Sequence, residues 1–181
     1  MKIAILGWGS LIWDPRDLPI RDGWKKDGPP LPIEFCRISG SWPLTLVIQP
    51  GVDGVNVLHT LSDDMDVIEA RNNLAAREGC GTLHIGLIDS ITEETNISSE
   101  NVQLLPVLEG WMTSHGYDSV IWTDLPSNFK EKTGNDFNID NGIGYLRSLS
   151  PEGLARALHY IDKAPLQVKT RLRVAIESEL R

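Results

Sequence analysis

Residues 5–15 read ILGWGSLIWDP, an apolar run that stops on two glycines around a tryptophan, with a serine next in line. Such a turn can do chemistry through its backbone. Glycines let the main chain come close to a ligand, and successive N–H groups can converge on an anion or a carbonyl oxygen. Ser10 adds a hydroxyl to that cradle. The same residues would also serve a strand-ending turn that holds nothing. A dinucleotide fingerprint is excluded: the third glycine position holds Ile12, and Pro15 and Pro19 prevent the helix that must follow.

Other reactive side chains carry plainer readings. Cys80 with His59 or His84 has the residue types of a nucleophile–base pair, yet a small buried thiol is the simpler assignment. His84 lies among apolar neighbours and reads as a core or face residue. Asp63, Asp64, Glu93 and Glu94 read as a helix start and solvated faces. In WTDLPSNF (122–129), Trp122, Asp124 and Asn128 could wall a pocket, with a buried strand and turn as the simpler assignment.

The elements that must position these residues follow from periodicity and punctuation. KIAIL (2–6), PIEFCRIS (32–39), LTLVI (44–48), VNVLHTL (55–61), TLHIGLI (82–88) and DSVIWT (118–123) have strand character. PGVDGV between the third and fourth predicts a hairpin loop. Ser62 predicts a helix N-cap with Asp63, Asp64 and Asp66 in the first turn. Met65, Ile68, Leu74 and Ala75 would form that helix's apolar face, and Gly79 marks its end. LEGWMTSHG reads as a helix end closed by Gly116. Beyond Pro126 the chain turns helical: Ser150-Pro151-Glu152 starts one helix. LQVKTRLRVAIESEL (166–180) predicts a last one, with Leu166, Thr170, Val174 and Ile176 near one face. Strands first and helices later predict an α+β fold with a strongly bent or barrel-like mixed sheet, flanked by helices and ending in a helical tail.

Size and charge narrow the function classes. The 181 residues, 41% hydrophobic, fit one domain spanning 1–181 with one sizeable core. The net charge of −8 and the scattered Lys and Arg, never denser than KTRLR, argue against nucleic acid and anionic membranes as partners. Two cysteines make neither a disulfide framework nor a zinc site. They read as reduced thiols, and with no signal-peptide pattern or membrane-length apolar run the expected location is cytoplasmic. Most of the six tryptophans are expected in the core or in pocket walls.

GWGSLIWDP (7–15) resembles the YGSL loop of the gamma-glutamylcyclotransferase superfamily, and most closely its ChaC-type branch, where the loop also continues into Ile-Trp and a proline. The second part of that signature is a glutamate after a helix and before a strand. AAREGCGTLHIG (75–86) sets Glu78 there. PIEFCRISGSWPLTLVIQPG (32–51) is similar to the family's second strand and the turn after it. The resemblance spans roughly residues 3 to 89. Trp8 stands where the family has tyrosine, and Cys80 and Gly81 stand near an aromatic position.

The resemblance implies a gamma-glutamylcyclotransferase-like mixed β-barrel and a reaction that cyclises a γ-glutamyl group to 5-oxoproline, releasing its amine. Glu78 would be the general acid/base, its pKa raised towards neutrality by shielding from water. The N–H groups of Trp8, Gly9, Ser10 and Leu11 would hold the substrate carboxylate or the oxyanion. Orientation would supply much of the rate. No cofactor and no metal are expected, the partner is a small γ-glutamyl substrate, and the oligomeric state stays open. Two alternatives remain. One is a non-catalytic binding protein in which Trp8 closes over a small acidic metabolite; the other is a relative that transfers or hydrolyses another amide. Without the resemblance, Glu78 reads as a helix-end carboxylate paired with Arg77 or Arg71.

Overall fold

The computed structural model describes residues 1–40 and 43–181. Among the described residues ten strands and six α-helices follow in order: β1 (Ile3–Gly7), β2 (Ile20–Lys25), β3 (Pro30–Leu31), β4 (Ile33–Arg37), β5 (Thr45–Ile48), β6 (Val55–Asn56), β7 (Leu58–Ser62), α1 (Val67–Glu78), β8 (Ile85–Asp89), β9 (Glu94–Asn96), α2 (Leu105–Ser114), β10 (Ser119–Thr123), α3 (Phe129–Thr133), α4 (Ile139–Ser148), α5 (Pro151–Lys163) and α6 (Arg171–Glu179). Six strands form one mixed sheet in the order β2-β7-β1-β10-β8-β9, and β3/β6 and β4/β5 form two short antiparallel pairs. The parallel pair of the main sheet is β1 with β10; its other neighbours run antiparallel.

The α+β class is as expected, but among the described residues no barrel closes. The main sheet keeps two edges, β2 and β9. Its centre is buried on both faces, which explains why IAIL (3–6) is continuously apolar. Strand alternation divides the side chains between two cores. Ile3, Ile5, Ile85, Leu87 and Ile121 meet Val67, Ala70 and Leu74 of α1 on one face. Ala4, Leu6, Val120 and Trp122 belong to a larger core on the other. That core also takes in Leu108 and Trp111 of α2, the β4/β5 hairpin, and Ile143, Tyr160 and Leu172 of the helical tail.

Several elements differ from their sequence readings. PGVDGV does not join paired strands: β5 pairs with β4, whereas β6 pairs with β3. The turn that the resemblance places after the second strand includes residues 41 and 42, which lie outside the described residues. Ser62 closes β7, and α1 is capped by Asp66, whose carboxylate accepts from the N–H groups of Ile68 and Glu69. Met65 and Ile68 are consequently exposed, and Val67 and Ala70 take the inward positions. Thr82–His84 is a 3₁₀ turn and His84 is exposed, so β8 begins only at Ile85. Thr170 caps α6; Leu172 and Ile176 are buried in it, whereas Leu166 and Val174 are exposed. Gly116, with φ of 64°, follows α2 as the sequence predicts.

Candidate functional site

The loop after β1 and the C-terminus of α1 meet at one cavity. After Gly7 the chain passes Trp8 and Gly9 into a 3₁₀ turn at Ser10–Ile12. Gly79, at φ 67°, adopts the left-handed conformation glycine favours and stops α1 immediately after Glu78. Leu6, Trp8, Gly9, Ser10, Leu11, Leu46, Glu78, Thr123 and Tyr160 line a cavity of about 40 Å³. It shares Ser10, Leu46, Glu78, Thr123 and Tyr160 with a wider cleft of about 370 Å³, whose walls add Trp13, Arg16, Arg37 and Cys80. The smaller volume suits water or one small polar group; the cleft has room for a small molecule.

Arg77 ties the two elements together. Its guanidinium donates to Glu78 Oε1 at 2.6 Å, to the Ser10 hydroxyl at 3.3 Å, and through Nε to the Asp14 carbonyl at 3.1 Å. The residue is 8% exposed. Its own carbonyl accepts from Arg16. The Arg77 pairing foreseen for a helix-end glutamate is therefore present, but not as a solvated pair: the Glu78 side chain is only 18% exposed. Arg71 is engaged elsewhere, with Glu94. A carboxylate at a helix C-terminus opposes the helix dipole, and the neighbouring guanidinium offsets that cost. Arg77 engages Oε1 and leaves Oε2 as the other face of the carboxylate.

Trp8 lines the cavity yet belongs to the large core. It is 5% exposed, and its indole N–H donates to the Leu46 carbonyl at 3.3 Å. The ring is thus anchored inward rather than poised to fold over a ligand. Gly9 has its own explanation: a Cβ there would stand 2.5 Å from the Tyr160 hydroxyl oxygen. The close approach that Gly9 permits is to a protein side chain.

Tyr160 is the site residue the sequence did not reveal. It sits on α5, 150 residues beyond Ser10, whose N–H donates to its hydroxyl at 3.4 Å. Trp13 packs edge-on against its ring at 5.2 Å. Burial pushes its hydroxyl pKa up to about 12, with the negative Glu78 adding to the rise and the Ser10 and Leu46 amides opposing it. At neutral pH it is a protonated O–H beside the Glu78 carboxylate. The family tyrosine absent at position 8 has no counterpart in that loop, yet the cavity does contain a phenol.

The other candidates take structural roles. Cys36 is buried, its thiol pKa pushed up to about 12, chiefly by that burial. Burial also raises the pKa of Cys80, which is half-buried at the cleft wall. His59 spends its ring nitrogens on Asp27 and Tyr117, so it forms no pair with Cys80. Trp122 is fully buried, Asp124 accepts from Ser98 and Asn101, and Asn128 exchanges two hydrogen bonds with the backbone of Ile38. None of those three lines the cleft; Thr123 and Leu125 do.

No helix among the described residues is long and apolar enough to cross a membrane. No family model, curated protein or solved structure matches this chain.

Proposed function

We propose that the protein is a gamma-glutamylcyclotransferase-like enzyme that converts a γ-glutamyl amine or peptide to 5-oxoproline and the free amine. One observation carries the proposal: Glu78 and the 8–11 loop border a single cavity that also contains the Tyr160 phenol. The resemblance of residues 7–15 and 75–86 to that superfamily supports it independently.

The reaction needs a base, an oxyanion site and a folded substrate. The substrate's α-ammonium must lose a proton before its nitrogen can attack the side-chain carbonyl. Glu78 takes that proton. The new C–N bond closes the five-membered ring, and the carbonyl oxygen becomes an oxyanion that the loop amides stabilise, helped by the Tyr160 hydroxyl. Glu78 returns that proton to the departing nitrogen as the original amide bond breaks, then takes the second proton that the ring nitrogen carried into the attack, and this one leaves with the released amine as its ammonium. Because nucleophile and carbonyl belong to one molecule, holding the glutamyl chain curled supplies much of the acceleration. The cleft walls carry Arg16, Arg37 and Arg77 against Asp14 and Glu78, a surplus of positive charge that suits a substrate carboxylate.

Incubation with a panel of γ-glutamyl amines and peptides, with detection of 5-oxoproline, tests the proposal. Release of 5-oxoproline from at least one member is expected. Binding without release would favour the non-catalytic alternative. Release of free glutamate instead would indicate hydrolysis of the same amide.

A further inference from the structure

A second cluster of polar side chains lies outside the Glu78 cavity and its cleft. Asp27 in the loop after β2, His59 on β7 and His115 at the end of α2 place one ligand atom each within 4.8 Å of one another. His59 Nε2 is 2.9 Å from Asp27 Oδ1, and His115 Nε2 is 3.6 Å from Asp27 Oδ2. A zinc ion bound at ~2.0–2.2 Å sets tetrahedral ligand atoms roughly 3.4 Å apart. The His115–Asp27 distance already fits that spacing. The Asp27 side chain is 68% exposed and that of His115 27% exposed, so both can adjust, and an ion can reach them from solvent.

Both imidazoles are held from behind. His115 Nδ1 lies 2.9 Å from the Trp111 carbonyl, and His59 Nδ1 lies 3.3 Å from the Tyr117 hydroxyl. A carbonyl can only accept, so Nδ1 of His115 carries the hydrogen. Nε2 is thereby directed at Asp27 Oδ2, so that the two imidazole nitrogens and the carboxylate converge on one point where a proton or a metal ion can sit. The backbone carrying Asp27 is also fixed: its carbonyl accepts from the Trp111 indole at 2.8 Å, and Gly28 N–H donates to the Val57 carbonyl at 3.1 Å. Hydrogen bonds of this kind orient metal-binding histidines and carboxylates in known sites.

We propose that Asp27, His59 and His115 bind a borderline divalent transition ion of the zinc class, with its remaining positions open to water. Two imidazoles and one carboxylate suit such an ion, whereas magnesium prefers an all-oxygen shell. The geometry is that of a three-ligand site with solvent access.

Zinc titration of the metal-stripped, untagged full chain, followed calorimetrically and by melting temperature, tests this. One zinc ion per chain should bind and raise the melting temperature, with no comparable effect from magnesium. Asp27→Asn and His115→Gln should each weaken zinc binding by at least about 100-fold, the upper range for losing a mere outer hydrogen-bonding partner. Both positions are at least partly exposed, and the metal-free melting temperature of each variant reports whether it folds. Cys80→Ser should leave zinc binding unchanged. Failure of the wild-type chain to take up zinc would overturn the proposal and leave the cluster as a hydrogen-bonded ion pair. Undiminished zinc binding in Asp27→Asn and His115→Gln would overturn it equally.

Discussion

Tyr160 and Gly9 are coupled by contact, and the coupling is measurable. Gly9→Ala would force a Cβ against a hydroxyl oxygen 2.5 Å away, on a ring that is 3% exposed and wedged between Trp13 and Phe35. Overpacking of this kind costs about 1–3 kcal/mol. Tyr160→Phe removes the obstructing oxygen, so the double variant should lose less stability than the sum of the two singles. Urea denaturation of the four proteins checks this, and simple additivity would contradict the contact. At this scale the sequence was legible where chemistry is local. The loop 7–11 and Glu78 are short signals with their own punctuation, glycines in one case and the Gly79 helix stop in the other. Tyr160 was not legible, because a tyrosine within EGLARALHYIDKA reads as one more apolar position; only the packing of α5 against β1's loop gives it a role. The grouping of Asp27, His59 and His115 was not legible either, although His59 was weighed as a base for Cys80, since the three come from three elements with no common spacing.

Buried polar side chains join the elements that position the site. Glu34 on β4 is 1% exposed and accepts from the N–H of Leu172 at 3.2 Å, in the first turn of α6. Burial raises its pKa above the ordinary 4.5, against the opposing pull of Thr170 and the α6 amides. The folded chain therefore holds this proton more tightly than the unfolded chain. Its contribution to stability is full below about 4.5 and is lost as pH rises through the raised folded value. The unfolding free energy of wild type minus that of Glu34→Gln should accordingly fall as pH climbs from below 4.5 to neutrality. A difference that rises over that window would contradict the assignment. At the start of α1, Asp66→Ala should cost about 0.5–2 kcal/mol by removing the cap, measured as a lower melting temperature. Ser62 was the cap expected from sequence. It lost that role because β7 extends through it to pair with Ile20 of β2, a long-range contact that local capping preference does not register.

At the scale of the molecule, the α+β class and the central strands were readable because apolar alternation and Gly/Pro punctuation are written locally; the edge strands β2 and β9, largely exposed and polar, were not. Sheet closure and strand partnership were not. Whether β5 turns to β4 or β6 depends on which apolar faces find a core, and a bent sheet and a barrel share the same strands. The fold delivers two ends to one place: β1's loop at the edge of the larger core, and the end of α1 from the opposite face of the sheet, joined by Arg77. The proposed activity depends on that convergence, and it reduces to whether Glu78 moves the proton. The deciding measurement is 5-oxoproline formation by wild type and by Glu78→Gln on the same γ-glutamyl substrate, with melting temperature and substrate affinity recorded for both. Gln fills the same space and keeps a hydrogen-bonding oxygen for Arg77, but it cannot accept the ammonium proton. The account predicts turnover lowered by about 10²–10⁴, with affinity largely kept; because buried Arg77 loses its charged partner, stability should also fall, by up to about 3–5 kcal/mol, so rates are compared at a temperature where both proteins are folded. Near-wild-type turnover in Glu78→Gln would contradict it.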